Sequence, residues 1–215
     1  DFFDACCNLG LAHHKIGNFK EATIAYSKAL KINPNSFILF YNIGNLLYDQ
    51  FDYKNAILNY EKSLEINDKY AKTYLNIALA FHKLENFDQS IFCLNQALKL
   101  DNNNPLVRKA LIMFERQICD WNNHEIRSKW LNELGIIGIP ISPMGLISME
   151  DSPNNQLIRA KRYFENNFKN NQFTLNFNKH KLIRIGYFSA NFYEHAVSHL
   201  LVRTIELHNK EKFSV

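Results

Sequence analysis

The sequence predicts an α-helical superhelix of repeated helix pairs, followed by the start of an α/β lobe. Three observations carry that reading. Gapless self-similarity at a period of 34 residues runs through the first half of the chain. A cluster of turn formers (Gly135, Gly138, Pro140 and Pro143) then ends the helical character. Near the C-terminus a β-type run, a helical pattern and a second short apolar run follow one another.

The composition fits that class. Of 215 residues, 47% are hydrophobic and 21% charged, which is globular rather than disordered. Gly (7) and Pro (5) are scarce, which favours helices. The net charge of +4 comes without a long Lys/Arg block, so no nucleic-acid partner is expected. No apolar run is long enough to span a bilayer, so no membrane partner is expected either. Cys6, Cys7, Cys93 and Cys119 lack the paired spacing of a zinc site. They are read as free, mostly buried thiols in a reducing, cytoplasmic compartment. The chain does not begin with Met and both ends look cut, so a missing leader carries no weight.

The repeat comes first because it decides the architecture. Residues 3–36, 37–70 and 71–104 align without gaps. Apolar and small columns recur: Leu9, Ile43, Ile77; Gly10, Gly44, Ala78; Ala22, Ala56, Ser90; Tyr26, Tyr60, Leu94; Ala29, Ser63, Ala97; Leu30, Leu64, Leu98. Their spacings are helical. Each unit is a helix, a turn with Asn or Asp, an aromatic staple (Phe19, Tyr53 or Phe87) and a second helix. Gly10 or Ala78 lets the two helices approach closely, and Pro34, Asp68 and Asn102 close the units. Residues 3 to about 104 resemble the tetratricopeptide repeat, and residues 105–122 read as the first helix of an incomplete unit or a cap. The repeat region is placed at 1–122.

One column on the first helices is polar: Asn8, Asn42 and Asn76. Asn is a mediocre helix former, so its recurrence asks for a reason. A row of side-chain amides offers donors and acceptors that can grip the backbone of an extended peptide. The alternative is that each Asn bonds within the array or merely repeats the consensus.

A helical connector is placed at 123–178. Trp121, Ile126, Trp130 and Leu134 fall on one face at near-helical spacing, with the tryptophans expected in a core. Ser152 or Asp151 is a candidate cap for a later helix, with Pro153 in its first turn. That helix is expected to turn Leu157, Ala160, Tyr163 and Phe164 inward. The polar stretch that follows it is expected to be a loop.

Residues 179–215 are expected to form a strand, loop and helix, and the chain stops as a further strand opens. Leu182, Ile183, Ile185, Tyr187 and Phe188 supply the strand; Val197, Leu200, Leu201, Thr204, Ile205 and Leu207 supply the helix. That order is the first unit of a doubly wound sheet, where ligands sit beyond the carboxyl ends of strands. No Gly-rich phosphate fingerprint is present. His195 falls at the helix start, where the local positive potential favours a neutral imidazole. His199 lies one turn later, but no third ligand is evident, so no metal site is expected.

Together, the repeats with their Asn column, "CDW", "SPMGLIS" and "IRIGYFSANFYEHAVSHLL" resemble the O-linked N-acetylglucosamine transferase family. The resemblance implies a repeat superhelix joined to a two-lobed, Rossmann-like (GT-B) catalytic region. It implies transfer of N-acetylglucosamine from UDP-N-acetylglucosamine to Ser or Thr of proteins, with inversion and with neither metal nor other cofactor. Acceptor proteins would bind along the repeats. It marks His195 as an active-site residue, with Asn191, Ala196, Val197 and His199 as substrate-site positions. Two departures stand out. Asn191 replaces the family's usual Asp, and an amide cannot act as a general base. Ala196 stands where some relatives have Pro. The chain ends before most of the implied catalytic region, so this polypeptide alone is expected to be inactive. Two further readings remain open: a protein-binding scaffold with a degenerate lobe, and a relative that uses GDP-fucose.

Overall fold

The computed structural model describes residues 2–168, 183–184 and 213–214. The chain divides into two compact units, Asp1–Lys169 and Asn170–Val215.

In the first unit three helix pairs follow the three repeats: α1 (Phe2–Lys15) with α2 (Phe19–Ile32), α3 (Phe37–Asp49) with α4 (Tyr53–Ile66), and α5 (Ala71–Lys83) with α6 (Phe87–Leu100). Side-chain caps fix several starts. Ser36 accepts from the Leu39 amide, Asp52 from Asn55 and Asn86 from Gln89. The turn inside each pair has a device of its own. Gly17, Phe51 and Glu85 all adopt left-handed backbone, with φ of 81°, 64° and 59°. The next amide in each turn (Asn18, Asp52, Asn86) bonds back to a carbonyl five residues earlier (His13, Leu47, Phe81). This pattern satisfies the carbonyls that a helix end leaves open.

Packing within a pair depends on absent atoms. A Cβ at Gly10 would sit 2.4 Å from Cε1 of Tyr26, and one at Gly44 would sit 2.4 Å from Cε1 of Tyr60. The third pair meets the same constraint differently. Ala78 replaces the glycine and the shorter Leu94 replaces the tyrosine, and the Ser90 hydroxyl donates to the Ala78 carbonyl at 2.8 Å. Ala22, Ala56 and Ser90 are fully buried, as are Ala29, Ser63 and Ala97. These small columns let the helices interlock at close range.

A seventh helix, α7 (Pro105–Gln117), takes the place of a fourth first helix. Asn104 caps it, accepting from Leu106 and Val107, with Pro105 in the first turn. It ends as the earlier ones do, with Cys119 at φ 56° and Asp120 bonded back to Glu115. Among the described residues, no second helix of repeat type follows. The short α8 (His124–Trp130) leads into a loop with a 3-10 turn at Ile147–Met149, then α9 (Pro153–Asn167).

This segment corrects two sequence expectations. Trp121 and Ile126 are not core residues; they are 51% and 57% exposed. Trp121 lies before α8 and Leu134 after it, so the four residues do not lie on one helix. Trp121 instead lies 5.4 Å from the Arg116 guanidinium. Trp130 does pack against the core, half-buried, and is flanked by Arg127 at 4.5 Å and Arg108 at 5.0 Å. The small core here is Ile112, Leu131, Leu134, Ile141 and Leu146. Helix α9 is capped by Ser152 as expected, but it is turned the other way. Leu157, Ala160 and Phe164 are exposed, and Arg159 is buried.

The reason is polar. The broken backbone after α8 leaves carbonyls without helical partners. Arg159 donates to the Leu131 carbonyl at 2.8 Å, to the Leu134 carbonyl at 2.7 Å and to Glu150 at 3.0 Å. Arg162 donates to the carbonyls of Ile136 and Gly138. Satisfying buried carbonyls outweighs hiding two apolar side chains, because an unpaired buried polar group costs about 1–3 kcal/mol. Gly135 keeps room for the Arg159 stem, since a Cβ there would lie 2.9 Å from its Cγ.

In the second unit the described residues form one parallel pair. β1 (Ile183–Arg184) pairs with β2 (Phe213–Ser214), Ile183 opposite Phe213 and Arg184 opposite Ser214. Both strands fall in runs read from sequence as strands. Two residues per strand do not define a Rossmann-like lobe. The expected loop and helix between the strands, and the expected boundary at 178, lie outside the described residues.

The Gly44–Tyr60 contact yields a direct prediction. Gly44→Ala forces the Tyr60 ring outward and is expected to destabilise the chain by about 1–3 kcal/mol, despite alanine's better helix propensity. Urea unfolding of the two proteins measures the difference, and a stabilised variant would contradict the packing described.

Candidate functional site

The site is built on the residue that follows the close-contact position (Gly10, Gly44 or Ala78) on each first helix. Leu11, Asn45 and Leu79 occupy that position in the three repeats. Together with His14, Lys15, Tyr48, Asp49, Tyr60 and Asn76 they line an open groove of about 430 Å³. It runs over the first-helix side of the array.

At its centre is a network anchored on one oxygen. The Tyr60 hydroxyl donates to Asn45 Oδ1 at 2.8 Å. Asn76 Nδ2 donates to the same oxygen at 2.7 Å and to the Tyr41 hydroxyl at 3.2 Å. Burial, with the Tyr41 ring close by, pushes the Tyr60 phenol far above its ordinary value. Tyr60 therefore remains an O–H donor, and that donation fixes which way the Asn45 amide faces. The consequence is geometric. Asn45 Nδ2 and Asn76 Oδ1 bond to no other described residue. The groove thus holds a free amide donor and a free amide acceptor on adjacent side chains.

The groove rim ties repeats together. His14 Nε2 lies 2.7 Å from Asp49 Oδ2, bridging α1 and α3. His82 Nε2 lies 2.7 Å from Gln117 Oε1 in the same register, and its ring stacks on Phe114 at 3.7 Å. Lys15 and Asp49 place opposite charges along the lining, with no cluster of cations.

The three asparagines named from sequence differ in surroundings. Asn76 lines the groove and joins its network. Asn8 is exposed and Asn42 half-buried, and neither bonds to another described residue. The reason is the neighbour each one meets. Asn76 reaches back 35 and 31 positions, to Tyr41 and Asn45. The corresponding residues for Asn42 are Cys7 and Leu11, which offer an amide nothing comparable. Asn45, Tyr41 and Tyr60 were missed as site residues. The available signal was Asn45 itself, a polar residue in a column otherwise filled by Leu11 and Leu79. His195, Asn191, Ala196, Val197 and His199 lie outside the described residues.

Tyr26 and Tyr60 are equivalent residues with different partners. Tyr26 faces Leu11 where Tyr60 faces Asn45, and its buried hydroxyl finds no hydrogen bond. Burial pushes its phenol up to about 12. Tyr26→Phe is expected to be neutral or stabilising, and Tyr60→Phe to cost about 1 kcal/mol. Thermal unfolding of the two variants under one set of conditions checks the opposite signs.

Comparison with known proteins agrees with this architecture. The tetratricopeptide repeat family profile matches residues 3–36 and again 35–103. No curated protein matches the chain. Among solved structures, PilF of Pseudomonas aeruginosa is similar over 76% of this chain and 74% of its own, at 20% identity and a TM-score of 0.60. MamA from Desulfovibrio magneticus RS-1 is similar over 70% of this chain and 78% of its own, at 22% identity and a TM-score of 0.54. The first repeat domain of Spaghetti (RPAP3), solved bound to an HSP90 peptide, is similar over 54% of this chain and 93% of its own, at 19% identity and a TM-score of 0.52. At these identities the likeness is one of fold. Residues 3–103 of this chain are tetratricopeptide repeats.

Proposed function

We propose that this chain binds an extended polypeptide along the groove, and that it is part of a protein O-glycosyltransferase similar to the O-linked N-acetylglucosamine transferases. One observation carries the first half: the free donor of Asn45 beside the free acceptor of Asn76. Each peptide unit presents one C=O and one N–H, so this pair is its complement. Leu11 and Leu79 flank it and suit apolar side chains. A partner is held by its backbone rather than by carboxylates, since Lys15 is the only lysine or arginine in the lining. The HSP90 peptide held by Spaghetti supports peptide capture as a use of this fold.

The transferase half rests on the resemblance of residues 183–201 to the family motif. The parallel pairing of β1 and β2 supports it, because a parallel pair requires a crossover rather than a hairpin. In this reading UDP-N-acetylglucosamine is the donor and a protein Ser or Thr hydroxyl the acceptor. The hydroxyl oxygen attacks the anomeric carbon as the bond to UDP breaks; UDP leaves with the bonding electrons and takes up the hydroxyl proton. His195 is the catalytic candidate, with Asn191, Ala196, Val197 and His199 around the substrates. Asn191 in place of Asp favours a second reading, a binding scaffold whose lobe has lost activity.

Two experiments separate these claims. Fluorescein-labelled, carboxymethylated casein is an unfolded polypeptide, and its anisotropy reports binding to the chain. Asn45→Ala and Asn76→Ala are each expected to weaken binding about fivefold, the worth of roughly one hydrogen bond. Unchanged affinity in both variants would remove the groove from the reading. Sugar transfer from radiolabelled UDP-N-acetylglucosamine by the longer parent protein, lost in His195→Ala, supports the transferase. No transfer from that donor or from GDP-fucose supports the scaffold.

A further inference from the structure

The groove carries one lining column through three repeats and then stops. Leu11, Asn45 and Leu79 line it, whereas Met113, in the same register on α7, does not. The chain's own backbone lies over that place. Residues 142–145 cross α7 between two anchors, Ile141 and Leu146, which are 3% and 0% exposed and share a small core with Ile112. Two contacts hold this strap down. Lys109 Nζ donates to the Ser142 carbonyl at 3.1 Å. Gly145 lies so close to Met113 that a Cβ there would sit 2.8 Å from Met113 Cε. Lys109 is the α7 counterpart of Tyr41, and Met113 that of Asn45. Tyr41 and Asn45 both belong to the groove network. The strap thus covers, on the fourth first helix, the positions that carry the polar network on the second.

We infer that the strap is the stop of the groove: it holds the fourth place itself and confines a bound polypeptide to α1, α3 and α5. The inference rests on the groove reading and sets its limit. The strap behaves as a guest would. It is backbone outside any helix or strand, and its carbonyl is taken by a side-chain donor. It differs from a guest in being fixed. Only four residues separate its buried anchors, so it has little slack with which to swing clear of α7. The rim closes in the same place, where His82 of α5 meets Gln117 of α7 at 2.7 Å. A partner that runs past Leu79 therefore meets main chain rather than open groove, and Met144, 70% exposed in the strap, is the side chain it encounters.

Methionine oxidation by hydrogen peroxide, read by mass spectrometry on the full chain, reports the strap. Met144 is expected to oxidise at least about tenfold faster than the covered Met113. Two variants loosen the strap. Gly145→Val crowds Met113 and strains a backbone φ of 83°, and Lys109→Met removes the bond to Ser142. Each is expected to raise Met113 oxidation about fivefold. Each is also expected to tighten binding of the labelled, carboxymethylated casein about fivefold, the gain from one further backbone contact. Casein is then expected to slow Met113 oxidation in the variants and to leave it unchanged in the unaltered chain. Equal oxidation of Met113 and Met144 in the unaltered chain would overturn the inference, as would failure of both variants to expose Met113. So would an exposed Met113 with casein affinity unchanged, in a chain where Asn45→Ala still weakens binding; the groove reading would then stand without its stop. Unchanged binding in Asn45→Ala and Asn76→Ala would remove the groove, and the role of the strap with it.

Discussion

The contact on which the rest of this structure depends is a glycine under a tyrosine ring. Gly10 and Gly44 let Tyr26 and Tyr60 lie across the first helix at a distance no Cβ would permit. That approach sets how tightly each pair closes. It also carries the Tyr60 hydroxyl through to Asn45. A packing constraint in the core thereby becomes a polar feature on the surface. The third repeat shows the constraint from the other side, since Ala78 is accompanied by Leu94 and no hydroxyl crosses.

Nearly identical scaffolds thus carry unlike chemistry. In repeat one the ring meets Leu11, and the Tyr26 hydroxyl is stranded. In repeat two it meets Asn45 and becomes a donor that orients an amide. In repeat three there is no ring, but Asn76 reaches back to complete the network. The groove is therefore a property of the stack rather than of any unit. This is why the likeness to other repeat proteins, at about 20% identity, shows the fold while leaving this network to the chain's own residues.

The repeated part of the fold was legible because its signal recurs: three units state the same small and large columns, and each confirms the others. The left-handed turn at Gly17, Phe51, Glu85 and Cys119 recurs equally well, but only the first is glycine. Composition therefore hid it. The connector was less legible for a physical reason. An amphipathic pattern was expected to bury Leu157 and Phe164, yet the carbonyls freed after α8 draw Arg159 inward instead. Periodicity counts apolar residues and does not record which backbone groups need partners. Similarly, the Asn column drew notice by recurring, whereas Asn45 occurs once in its column and was passed over. The histidine-bearing segment was legible only as a motif, and it lies outside the described residues.

The central claim is that Tyr60 orients Asn45 through one shared oxygen. A double-mutant cycle between Tyr60→Phe and Asn45→Leu, read by urea unfolding, tests it most directly. Asn45→Leu restores the residue found in the neighbouring repeats, so the site keeps a side chain that its column already accommodates. A coupling of about 1 kcal/mol between the two changes is expected for a buried donor that loses its only acceptor. Additive effects, within about 0.3 kcal/mol, would show that the hydroxyl and the amide act separately and would contradict the oriented groove.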